Sequence, residues 1–202
     1  MQTMQVTAPS PTRPNTLSYW DRSRRYRLAD LHQLAGDEHQ RYEILDGDLL
    51  MTPAPGRPHG VVAGQLSVLL QTALSQHKPQ WYLMIQPINL DFETDDTTFH
   101  CEPDMTLFDR PLEEVASDET LAPVVVIEIV SPSNPENDYV RKVEAYAAME
   151  IPEYWIVDPG NRAVAFLELV ETRQGKRYRQ RQGSALLPEV RLEPAALFAG
   201  LP

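Results

Sequence analysis

Two carboxylates, Asp104 and Glu128, stand in segments that predict neighbouring strands. Asp104 follows Pro103 at the head of the strand-like run Asp104 to Phe108. Glu128 sits inside Val124-Val125-Val126-Ile127-Glu128-Ile129-Val130, a mostly β-branched apolar run bounded by Pro123 and Pro132. Such a run predicts a strand buried on both faces at the centre of a covered sheet. An ionised carboxylate there is costly unless it is paired or holds a metal. Two hard oxygen donors on adjacent strands suit Mg²⁺, with Mn²⁺ as a substitute. The ion would activate a water and neutralise charge on a phosphate ester.

A lysine would complete that chemistry. Side chains alternate along a strand, so position 130 shares a face with Glu128. That position is Val130, where the Asp…Glu-x-Lys pattern has its lysine. The next lysine is Lys142, on a helix predicted from Tyr139, Val143, Tyr146 and Ala147. Asp138, Lys142 and Tyr146 are spaced i, i+4, which sets Lys142 on or beside the packed stripe. From there a lysine can reach back over the strand end toward Glu128. His59, at the start of another predicted helix, could approach a phosphate, and Gln86 could hydrogen-bond a metal-bound water. For both, an ordinary capping, loop or strand role weighs more.

The elements around these residues read as a single α/β domain over 21–202, preceded by a flexible tail at 1–20 rich in Pro, Thr and Ser. Leu28, Leu31 and Leu34 predict a short helix, and Asp46-Gly47 predicts a hairpin between Tyr42–Leu45 and Asp48–Met51. A helix is expected over 59–76, then strands over 81–85 and 88–92. Residues 94–99 read as a polar turn and 111–120 as an acidic connection. After the central strand and its helix come strands at 153–157 and 163–170, a possible strand at 177–182 and a helical turn at 194–198. This order implies a mixed central sheet flanked by helices.

One cysteine, Cys101, excludes an internal disulfide, and no apolar run is long enough to span a membrane. A cytoplasmic protein is expected, with no membrane partner. The net charge is −11, and residues 28–172 hold 7 basic against 26 acidic residues. This argues against an open, sequence-independent hold on nucleic acid. Arginines and a lysine cluster instead at 22–27 and 173–181, the places where a phosphate backbone could be met.

Taken in order, Tyr42-Glu43-Ile44-Leu45-Asp46-Gly47, Pro103-Asp104, Ile127-Glu128-Ile129-Val130-Ser131-Pro132-Ser133, then Asp138, Lys142, Tyr146 and Ile151-Pro152-Glu153-Tyr154-Trp155-Ile156-Val157-Asp158-Pro159, form a specific set. The chain resembles the putative restriction endonuclease family of the PD-(D/E)XK nuclease superfamily. The resemblance covers roughly residues 28 to 195 and implies a restriction-endonuclease-like fold. It also implies a metal site of Asp104 and Glu128, a lysine displaced onto the helix at Lys142, and an early acidic member of the site at Glu43. One departure is Glu150, where the family usually has glycine before Ile-Pro.

The expected activity is Mg²⁺-dependent endonuclease cleavage of DNA by a homodimer, Lys142 activating water or stabilising the transition state. The alternatives are a catalytically inactive binding or assembly module on the same fold, and a nuclease acting on RNA.

Overall fold

The computed structural model describes residues 21, 23–34, 41–52, 56–85, 88–117, 121–132 and 134–201. The tail expected at 1–20 lies outside them. Helix α1 (Leu28–Leu34) leads into the hairpin of β1 (Arg41–Leu45) and β2 (Asp48–Thr52). Asp46 and Gly47 turn it with φ of 49° and 77°, the positive values that a two-residue hairpin requires and that Asp-Gly tolerates. Helix α2 (Arg57–His77) follows, then β3 (Tyr82–Met84), β4 (Leu90–Glu93), β5 (Thr98–Cys101), β6 (Met105–Phe108) and helix α3 (Leu112–Ser117). The central strand is β7 (Val125–Ile129). A π-helical turn (Asn137–Arg141) runs into α4 (Lys142–Ala148), and β8 (Glu153–Asp158), β9 (Ala163–Thr172), β10 (Gly175–Arg181) and α5 (Pro194–Leu197) complete the order.

These strands make two sheets. The larger runs β10-β9-β8-β7-β6-β3, with β7 and β8 parallel and the other pairs antiparallel; the smaller runs β2-β1-β5-β4. The mixed sheet and the flanking helices are as the sequence predicted.

Alternation on β7 decides which layer Glu128 meets. Val125, Ile127 and Ile129 face α2, whose Val62, Leu66, Leu70 and Leu74 form one buried stripe. Truncating a fully buried leucine such as Leu66 to alanine would cost about 2–5 kcal/mol. Val126 belongs to the opposite core, with Ala145 and Tyr146 of α4 and Leu45, Phe99 and Cys101 of the small sheet. Glu128 shares that face, so its carboxylate lies where the large sheet, the small sheet and α4 converge.

Three segments differ from expectation, the π-helical turn that faces Tyr139 outward at the head of α4 being one. Thr98 and Phe99 begin β5, which pairs with β4 (Glu93↔Thr98) and with β1 (Ile44↔His100). Asp95 and Asp96 mark only a short turn, and partner strands on both sides recruit the residues after it. The acidic connection contains α3, whose Glu113 and Glu114 occupy its first turn, where negative charge favours a helix.

Candidate active site

Glu128 and Lys142 meet directly. Lys142 Nζ donates to Glu128 Oε1 at 2.8 Å, to Glu43 Oε1 at 3.0 Å and faces Asp138 Oδ1 at 3.5 Å. Lys142, Glu128 and Glu43 are each 5% exposed or less. The π turn arranges this, because its wider loop changes the phase of the helix and sets Asp138 and Lys142 inward, while Tyr139 and Val140 face out. The Tyr146 hydroxyl, one turn on, donates to the same Glu128 Oε1 at 2.5 Å. Tyr154 packs edge-on against Tyr146 and donates to the Asp138 carbonyl oxygen at 2.9 Å, which fixes the π turn to the sheet.

Asp104 stands one step beyond the last register pair Met105↔Ile127, across from Glu128. Its Oδ2 accepts the Ile129 N–H at 2.8 Å and lies 2.9 Å from His59 Nε2 in the first turn of α2. His59 therefore touches a site carboxylate, a closer role than the loop or cap that weighed more in the sequence. Gln86 lies outside the described residues.

These groups line one cleft of about 1170 Å³. Among the described residues, six carboxylates (Glu43, Asp48, Glu102, Asp104, Glu128 and Asp138) and five cations (Arg24, Arg41, Arg141, Lys142 and Arg162) border it. The sequence reading missed Arg41, Arg141 and Arg162, since isolated arginines in an acidic stretch carry no pattern. Of the basic cluster at 22–27, Arg24 reaches the cleft. The arginines of β10 instead lie along the outer strand, where Arg179 and Arg181 pair with Glu168.

The electrostatics follow from this crowding. Burial opposes the charge on Lys142, but Glu128, Glu43 and Asp138 outweigh it and hold the amine well above its usual range, so it is an ammonium. Burial pushes the Asp138 carboxyl up. Asp104 is also buried, yet His59 and the Ile129 N–H together draw its carboxyl below the usual range. Burial likewise pushes the Glu128 carboxyl well above its usual range, against the pull of Lys142. Carboxyl groups outnumber the one ammonium among them, and low polarity makes negative charge there costly.

A divalent cation would relieve it. The bonds given above converge on Oε1 of Glu128 and Oδ2 of Asp104, which leaves in each carboxylate a second oxygen outside them. Among the described residues, no group of three or more His, Cys, Asp and Glu side chains is gathered as a metal cage. Two carboxylates suit Mg²⁺, which keeps much of its coordination for water and substrate oxygens. The donor set fits the ion.

A family model described as putative restriction endonuclease (Uma2) matches residues 28–200. The chain belongs to this family. A solved structure described as a putative nuclease belonging to DUF820, from Anabaena variabilis ATCC 29413, is similar with a TM-score of 0.61 at 16% identity, over 86% of this chain and 97% of that one. That likeness establishes the restriction-endonuclease-like fold. No curated protein matches the chain.

Other parts of the Uma2 resemblance are structural. Glu153 is buried and accepts from Trp155 Nε1, Ser184 Oγ and the Ala185 and Leu186 N–H groups, all within 2.8 Å, tying the 184–186 segment to β8. Asp158 accepts from the Tyr139 hydroxyl and from the Asn161 N–H and side-chain amide, joining the β8–β9 turn to the π turn. Among the described residues, no helix is long and apolar enough to cross a membrane.

Proposed function

We propose that this protein is a metal-dependent endonuclease that hydrolyses DNA phosphodiester bonds. The observation that carries this reading is the meeting of Lys142 with Glu128 and Glu43, beside Asp104, inside one cleft. A lysine from the helix thus supplies the cation that Val130 cannot.

Asp104 and Glu128 would hold Mg²⁺, which lowers the pKa of a bound water and offsets charge on the phosphate. The chain's own groups do the rest. Lys142, held as an ammonium by three carboxylates, donates hydrogen bonds that orient the attacking water and stabilise charge developing on the phosphate oxygens. Glu43 shares the ammonium with Glu128 and keeps it over the strand end. His59 fixes the rotamer of Asp104. Arg41, paired with Glu102, and Arg141, paired with Asp48, border the cleft and would meet flanking phosphates. A homodimer is part of the proposal, because a twofold axis presents two such clefts to two strands; light scattering on the purified protein checks it.

The test is Mg²⁺-dependent cleavage of a circular single strand and of a supercoiled plasmid by purified protein, with Asp104→Ala and Lys142→Ala controls. Cleavage by wild type and its loss in both variants is expected; equal cutting by all three would sink the reading. One observation favours a second reading: the net charge of −11 suits a binding or assembly module. Calorimetric titration with Mn²⁺ separates the two, since a module has no need of binding that depends on Asp104 and Glu128.

A further inference from the structure

Accepting the nuclease reading, on which this step rests, the shape and lining of the cleft define the form of its substrate. The reacting groups lie deep: Glu128 is 2% exposed and Lys142 5%. Several segments wall them in: β1–β2, the start of α2, the loop after β7, the π turn, the β8–β9 turn and Leu201. A volume of about 1170 Å³ is on the scale of small-ligand pockets, about 300–1,000 Å³, rather than of an open saddle.

The lining points the same way. Beside the charged groups stand Met51, 41% exposed, and the partly buried Leu50, over the buried Leu49, Ile129 and Val130. The outer surface of a duplex offers phosphates and sugars, which would leave this wall unmatched. An unpaired strand brings bases with its phosphates, and bases stack on apolar and planar groups whatever their identity. Arg24 supplies one planar group, lying over the Tyr26 ring at 4.5 Å on the border of the cleft.

We infer that the cleft accepts unpaired nucleic acid, a single strand or the splayed end of a duplex, and excludes the intact double helix. Each cleft would take one strand, with a base against Met51 and the scissile phosphate over Glu128 and Lys142.

The experiment compares a fluorescein-labelled twelve-nucleotide DNA strand with its blunt duplex. Anisotropy is measured on wild-type protein in Ca²⁺, and cleavage in Mg²⁺. The expected result is at least about tenfold tighter binding of the single strand, with a loss of about tenfold in Met51→Glu, whose exposed position leaves folding intact. Binding of the duplex as tightly as the strand, or of neither, overturns the inference. So does single-strand binding indifferent to Met51→Glu. The cleavage arm keeps the two readings apart. Preferred binding of the strand with no Asp104-dependent cutting sinks the nuclease and leaves the cleft specificity standing. Asp104-dependent cutting of blunt duplex as fast as single strand keeps the nuclease and overturns the specificity.

Discussion

Lys142 Nζ and Glu128 Oε1 lie 2.8 Å apart although the two residues belong to different elements and are 14 positions apart in the chain. The strand position that could have supplied the same ammonium, Val130, is buried in the core between the sheets and also lines the cleft. Two backbone origins therefore serve one point in space, and the chain uses the helical one. Lys142→Ala should lower the single-turnover cleavage rate by about 10²–10³-fold, the size expected for losing one preorganised charge donor. Adding Val130→Lys to that variant should recover part of the rate, because position 130 faces the same cleft. Chemical-quench kinetics on both proteins check this, and a double variant as slow as the single one, while still folded, would refute it.

Tyr146 shares Glu128 Oε1 with Lys142. Two donors on one oxygen fix the carboxylate's rotation and set which oxygen is left for a metal. Tyr146→Phe keeps the ring packed on Tyr154 and removes only the hydroxyl. Mn²⁺ affinity should fall by about 10–100-fold, as for other groups that orient metal ligands. Tyr154→Phe removes a bond to the Asp138 carbonyl instead and should keep wild-type affinity. Calorimetric titration of the two variants decides; equal affinities would mean that Tyr146 only packs.

The sequence disclosed Asp104, Glu128 and Lys142 because each breaks a local pattern: a carboxylate at a strand head, a charge in an apolar run, a lysine on a packed helical stripe. Glu43 was legible only through resemblance, since a charge beside a hairpin is ordinary, and only the closure of β1 onto β5 brings it to Lys142. Arg41 and Arg141 carried no signal, because their place depends on how the two sheets pack. The helix before Ile151 was expected to run regularly from Tyr139. Its π turn escapes periodicity, since one wide turn shifts the phase without changing composition. The larger sheet was well read, because long apolar runs and Pro boundaries mark its strands; β5 was not, being four residues recruited by its neighbours.

Glu150 ends the turn after α4 with φ of 59°, the left-handed region that a side chain resists by about 1–2 kcal/mol. Glycine, which the family resemblance implies at this place, takes that φ without a side-chain clash. Glu150→Gly forfeits the ion pair with Lys176, but both partners are exposed and such pairs contribute about 0–1 kcal/mol. Relief of strain should win. A gain of about 1 kcal/mol in urea unfolding is expected, and a loss of similar size would show that the ion pair dominates.

Asp158 gives the chain a pH dependence of definite sign. Its carboxylate is buried, which raises its pKa, but the Asn161 N–H and amide and the Tyr139 hydroxyl outweigh burial and draw it below the usual carboxyl value. A folded-state pKa below the unfolded one contributes stability in full above the unfolded value, about 3.9. That contribution fades as pH falls through the folded value. Asp158→Asn should therefore be less stable than wild type by about 1–2 kcal/mol at neutral pH, the scale of hydrogen bonds to a charged group. The gap should narrow steadily below about pH 4. Because Tyr139 lies in the turn that aims Lys142, the same variant should also weaken cleavage at neutral pH. Urea titrations at several pH values follow the first effect, and a deficit that stays constant with pH would show that shape, not charge, ties Asp158 to the π turn.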